Sequence, residues 1–291
     1  MKTLFAILMA VHAFLFAHFH AQHPKPEFEV ASVHPTPPSQ EHGMSLSLKV
    51  DASQVRVIAL PLRDIIATAY RLKPYQISGP EWIATTPFDI SAKIPAGATI
   101  QQLPDMLQSL LVERFGLTFH REQKELPVYA LVIGKGPLKL RPHSTDGEAA
   151  IVDRLTWTLS GNPAGVSNVV GDGSSYSFAG GKFEGKRLTA TALATELERY
   201  SPRPILNMTQ LTGAFDATFT VTPEAYGQLL GRAAINSGMV MPPQMRIQLE
   251  SNADFNALPE AVEQLGLKLE SRRMPIDMLV VDDVRKAPTD N

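Results

Sequence analysis

The chain has no cysteine. That absence removes disulfides, thiolate metal sites, cysteine nucleophiles and a cysteine-linked lipid anchor together, so the fold rests on packing alone. A charge excess of either sign is also missing: 27 basic against 29 acidic residues leave a formal net charge of -2. Gripping a phosphate backbone takes a basic surface, and nucleic acid is not an expected partner. No His-Glu-x-x-His, Gly-x-Ser-x-Gly or Gly-Lys-Ser/Thr loop occurs, so no catalytic residue and no cofactor is assigned. Long apolar runs are confined to one place. Leu4 to Phe16, after Lys2, has the length of a secretory leader and is short for a membrane span. A signal peptide over residues 1–21, cut after Ala21, is expected, with the mature protein periplasmic or secreted and without a membrane span; an uncleaved anchor is the alternative. His18, His20 and His23 straddle this processed region and receive no role.

What is present is alternation, helical spacing and repetition. With 291 residues, of which 44% are hydrophobic, the chain has material for two cores. Phe28 to Pro35, Met44 to Val50 and Gln54 to Leu60 alternate as strands, the last two as a hairpin. Leu62, Ile65, Ile66, Ala69 and Leu72 then fall at helical spacing after Pro61. The stretch from Leu60, LPLRDIIATAYRLKPYQIS, aligns without a gap on LTATALATELERYSPRPIL from Leu188. The Phe-Asp strands TPFDISAKIP and GAFDATFTVT follow at nearly the same offset, and Leu111–Ile133 matches Ala261–Val281 with Gly116 and Gly266 at the helix ends. The reading is α+β: two tandem pseudo-repeated modules, each an antiparallel sheet with two helices on one face. Each module is expected to end in a strand, a charged turn with proline and a last apolar strand. The domains are 22–149 and 150–291, the second with an insert at 225–252. SYSFAGGKFEG reads as a hairpin turning at Gly180-Gly181.

FEVASVHP, YQISGPEWIATTPFDISAKIP, LLVERFGLTFHREQKELPVYALVI, LTGAFDATFTVTPE and LGLKLESRRMPIDMLVVDDV together resemble the soil-associated family of uncharacterised secreted bacterial proteins, a domain-of-unknown-function family abundant in acidobacteria. The likeness runs from about Phe28 to the C-terminus. It implies export, and related domains occur fused to membrane metalloprotease sensors resembling the beta-lactam receptor. It supplies no activity and no catalytic residues. The insert departs from the pattern.

Candidate residues come from the chain itself. His120 and Glu122 share a strand face as an acid/base pair would, though alternating charge on a solvated strand explains them as well. Asp89 and Asp216 occupy equivalent places, which favours hydrogen bonding to a nearby turn over catalysis. Ser160-Gly161-Asn162 reads as a turn. Met239, Met241 and Met245 resemble a soft-metal set but read more simply as an apolar loop. Only the first module carries Tyr75, Trp82, Arg114 and His120; the aligned positions hold Arg203, nothing, Gln264 and Glu270. Aromatic and Arg residues are enriched at binding surfaces. These four form the expected binding set, for a protein, peptide or envelope glycan, with a hydrolase site between the modules as the alternative.

Overall fold

The structure, a computed structural model, describes residues 25–37, 44–51, 53–143, 157–162, 165–170, 173–237, 243–244, 247 and 257–289. The leader, its histidines and the three methionines of the insert lie outside the described residues. In chain order the elements are β1 (Val30–Pro35), β2 (Met44–Val50), β3 (Gln54–Pro61), α1 (Leu62–Ala69), β4 (Ile77–Ser78), α2 (Trp82–Thr85), β5 (Pro87–Lys93), α3 (Leu103–Phe115), β6 (Thr118–Ile133) and β7 (Arg141–Pro142). Beyond these come β8 (Trp157–Asn162), β9 (Gly165–Val170), β10 (Ser175–Ala179), β11 (Lys182–Thr189), α4 (Ala190–Glu198), β12 (Ile205–Asn207), β13 (Ala214–Thr220), α5 (Pro223–Asn236), α6 (Ala257–Glu263) and β14 (Leu267–Asp283). The protein is therefore mixed α+β. Ser160 to Asn162 close β8 as a strand and form no turn of their own. The insert opens with a helix, α5, with Thr222 Oγ1 accepting from Ala225 N at its N-terminus.

The sheets are shared and not divided one to a module. A ten-stranded antiparallel sheet runs β1-β5-β3-β2-β8-β9-β10-β11-β13-β7, so strands from both sides of residue 150 lie in one layer. A second, mixed sheet runs β12-β6-β14-β4. In it β6 and β14 pair antiparallel along nearly their whole length, from Thr118↔Asp283 to Ile133↔Leu267. The expected break into two strands is absent because Pro127 and Pro275 fall where β12 and β4 no longer flank them. Each strand is locally an edge there, and a missing N–H is tolerated.

In the second sheet two parallel pairings also cross residue 150. Ile77 of β4 pairs in parallel with Leu279 of β14, and Ile205 of β12 with Tyr129 of β6. Leu279 and Val281 are buried in the first core, with Ile65, Ile66, Phe88, Leu111 and Phe115. Leu131, from β6, is buried in the second, with Phe178, Phe183, Leu193, Leu197 and Tyr200. A third, smaller cluster is Val128, Ile276 and Met278, from β6 and β14. The polar stretch read as a boundary is also partly structural: Leu140 enters the second core and β7 pairs with β13.

The two Phe-Asp strands each hold a bulge in their neighbour. Asp89 Oδ1 accepts from Ala59 N and from Thr36 Oγ1, both at 2.8 Å, where β3 slips its register between Val57 and Leu60. Asp216 Oδ1 accepts from Arg187 N at 3.0 Å and lies 3.0 Å from His143 Nδ1, where β11 slips between Gly185 and Leu188. Ala59 and Arg187 have φ of 55° and 54°, so each bulge turns on a left-handed residue whose N–H leaves the ladder. The aspartates supply the lost acceptors, at bulges rather than at a turn.

Candidate functional site

The four residues expected to bind do not gather into one group. Arg114 is buried: its Nη1 donates to Thr289 O at 3.2 Å, and Thr289 N donates to Arg114 O at 2.9 Å, so it fastens the C-terminal residues onto α3. Trp82 opens α2 and packs, half-buried, against the first core. Tyr75 lies in a 3-10 turn and packs on the third cluster. His120 is exposed, with Nδ1 2.7 Å from Asp282 Oδ1, so its partner is Asp282 and not Glu122. Tyr75 and His120 do border the same stretch of β14: Val280 packs on the same cluster as Tyr75 and stands opposite His120 in the ladder.

A different constellation lies where α1 meets the end of α4. Leu62, Ile65, Ile66 and Ala69 turn α1 into the first core, which places Arg63 and Asp64 of its first turn at the margin. In α4 the apolar face is Ala190, Leu193, Ala194 and Leu197, but it also carries Glu196 and is followed by Arg199 and Tyr200. Glu196 is buried. Its Oε2 accepts from Arg199 Nε at 2.8 Å and its Oε1 from Asn168 Nδ2 of β9 at 3.0 Å. Tyr176, opposite Asn168 in the β9–β10 ladder, stands behind them. Asn236, at the end of α5, donates to the carbonyls of Arg199 and Ser201 at 2.9 Å, and its own carbonyl accepts from Arg63 Nη2 at 3.4 Å.

This group is recessed yet open. Arg199 lies deep in the protein mass, but its side chain keeps 33% of its surface accessible, and Arg63 and Asp64 keep 23% and 29%. Below them Tyr176, Tyr200 and Asn168 are only 3%, 1% and 5% exposed. Among the described residues Asn168 Oδ1 and Arg63 Nε find no hydrogen-bond partner. The Tyr176 hydroxyl lies within reach of the Tyr200 hydroxyl and of the Glu196 carboxylate, and the three perturb one another. Buried polar atoms without partners cost about 1–3 kcal/mol each, and native proteins carry few of them.

The electrostatics follow from depth. Burial pushes the Asp64 carboxyl above its ordinary value, against the pull of Arg63 and Arg199. Burial likewise raises both tyrosine hydroxyls, so they stay protonated and able to donate. Next to this crevice, Glu198 Oε2 accepts from Ile205 N at 2.9 Å and pairs with Lys73 at 3.5 Å. Its carboxyl is also raised by burial, with Lys73 opposing. Tyr75 is pushed up to about 12, by burial first and then by Glu198. Among the described residues no group of three or more His, Asp or Glu could hold a metal ion, and no helix there is long and apolar enough to cross a membrane.

The model of a family of proteins of unknown function, DUF3738, matches residues 63–284. The chain belongs to the DUF3738 family. The DUF3738 span begins at Arg63 itself and takes in the whole crevice as well as Tyr75, Trp82, Arg114 and His120. No curated protein and no solved structure matches the chain.

The crevice residues were missed by comparing aligned stretches only for aromatic and Arg differences in the first. The signal was in the second. Glu196 and Tyr200 align with Thr68 and Leu72, and Glu196 sits three residues after Leu193 and four before Tyr200, on a face that should be apolar.

Proposed function

We propose that the protein is exported and acts by binding, recognising a polar ligand from a peptide, protein or envelope glycan in the crevice between its two halves. One observation carries the reading: the side chains of Arg63, Asp64 and Arg199, which stand over the buried polar group of Tyr176, Tyr200, Glu196 and Asn168, stay partly open to solvent. Charged side chains that are recessed but still accessible are groups that a polar ligand can reach. The hydrolase alternative has less support. Glu196 is committed to Arg199 and Asn168, Asp64 lies beside Arg63, and His120 and His143 are paired with surface aspartates. Export is supported by the leader-like Leu4 to Phe16.

The same proposal treats 22–149 and 150–291 as copies of one unit. The paired bulges at Ala59 and Arg187, each held by the aspartate of a Phe-Asp strand, support it, as does the reciprocal pairing of β4 with β14 and β12 with β6. The crevice then marks where the copies diverged.

The test is retention from an envelope fraction with wild-type protein and a Tyr176→Phe/Tyr200→Phe double variant as bait. Material held by the wild type and lost by the variant supports the crevice. Identical retention by both overturns it.

A further inference from the structure

We infer that the β7 end of the large sheet is a proton-sensitive latch: a protonated His143 grips Asp216 and holds the segment from Gly134 to His143 against the second core, and loss of that proton loosens the hold. The latch lies apart from the crevice and stands whether or not a ligand binds there.

The two outer strands of the ten-stranded sheet are fastened alike. Pro35 stands opposite Phe88 and Pro142 opposite Phe215, and the residue after each proline donates its N–H across the ladder, Thr36 to Pro87 O at 3.0 Å and His143 to Ala214 O at 2.8 Å. The side chain of that same residue then meets the aspartate of the Phe-Asp strand: Thr36 Oγ1 donates to Asp89 at 2.8 Å, and His143 Nδ1 lies 3.0 Å from Asp216. One fastening is a hydroxyl and keeps its charge state at any ordinary pH. The other is an imidazole, a group that changes charge between about pH 5 and 8. The Arg187 N–H holds the Asp216 carboxyl below its ordinary value, so it stays a carboxylate over that range, and a proton on His143 turns a neutral hydrogen bond into a charge-assisted one. The contribution is therefore present in acid and fades as pH rises. Arg141, opposite Asp216, shares the carboxylate but keeps its own charge throughout, and the Arg187 guanidinium lies towards Gly173. At the other end His34 stands opposite Asp89, yet the side chain bonded to that carboxylate is Thr36. The β7 end also has less else to hold it. β1 pairs with β5 over six residues and β7 with β13 over two, and just before β7 Leu140 enters the second core.

Both partners keep about a third of their side-chain surface open, 37% for His143 and 36% for Asp216, so the proton arrives directly from solvent and the gain in grip is that of an exposed pair. Amide hydrogen exchange of the purified protein, followed by NMR from about pH 5.5 to 8, reads the latch at the residue-143 N–H, with the Thr36 N–H as the control at the far edge. After correction for intrinsic exchange, protection at residue 143 should be about threefold higher at the acid end than at the basic end, and protection at Thr36 should stay level. His143→Thr copies the other fastening and should fold with no pH dependence at residue 143. Asp216→Asn, which keeps an oxygen for the Arg187 N–H, should be level as well. A flat wild type overturns the inference, and so does a variant that keeps the wild-type slope. Equal change at residues 143 and 36 also overturns it, since the response would then belong to the whole fold.

Discussion

At Arg114 the guanidinium lies under the C-terminal residues with Thr289 O as acceptor, and its Nε faces the Glu113 carboxylate at 3.7 Å. Arg114→Ala is therefore expected to destabilise the protein by about 1–3 kcal/mol, seen as a lowered melting temperature and faster proteolysis after residue 284, with ligand retention unchanged. Asp64 supplies a pH signature. Its folded-state value is raised by burial, so its stabilising contribution is fully present below the unfolded value of about 4 and is lost as pH rises through the folded value. Asp216 has the opposite sign: the Arg187 N–H, then His143, hold it low, and its contribution is lost only as pH falls below the unfolded value. Denaturation midpoints between about pH 4 and 7 should thus decline less steeply for Asp64→Asn than for the wild type; parallel declines would refute the assignment. Residue roles were the least legible part of the sequence. Arg114 and Trp82 stood out by type, but whether a side chain faces solvent or a C-terminal strap depends on long-range packing that no local pattern encodes.

Among the elements, helix ends were the most legible, because a glycine after an apolar helix states a local backbone need. Gly116 and Gly266 have φ of 61° and 76°. Their surroundings differ. A Cβ on Gly266 would collide with Pro137 O, a backbone atom that cannot yield, whereas on Gly116 it would meet the flexible Arg285 side chain at 2.9 Å. Gly266→Ala should therefore cost clearly more than Gly116→Ala, for which left-handed strain of about 1 kcal/mol is the main term; equal losses in denaturation would contradict this. The hairpins around Asp51 and Gly180-Gly181 were legible for the same local reason: Asp51 Oδ1 accepts from the N–H groups of Ser53 and Gln54, and Ala179 pairs with Lys182. The continuity of β6 and β14 was not. The charged residues before Pro127 read as a turn, and only the partner strand across the ladder makes them extended.

In the whole molecule, β6 and β14 tie the halves by reaching into each other's cores. Residues 22–149 alone would lack Leu279, Val281 and the partner of β4, and residues 150–291 alone would lack Leu131 and the partner of β12. Each fragment by itself should be unfolded by circular dichroism, and the two mixed should recover structure; a folded isolated half would contradict the exchange. The aligned stretches made the order of elements readable, but not this crossing, since likeness in sequence does not say which strand a strand pairs with. Nor did it mark the crevice, which exists only where α1 from one half meets α4 from the other. The most direct test of that crevice as a ligand site is retention of envelope material by Arg63→Ala and Asp64→Asn variants, whose side chains are partly exposed at its margin. The account predicts that material held by the wild type is lost by both variants; equal retention by all three proteins would contradict it.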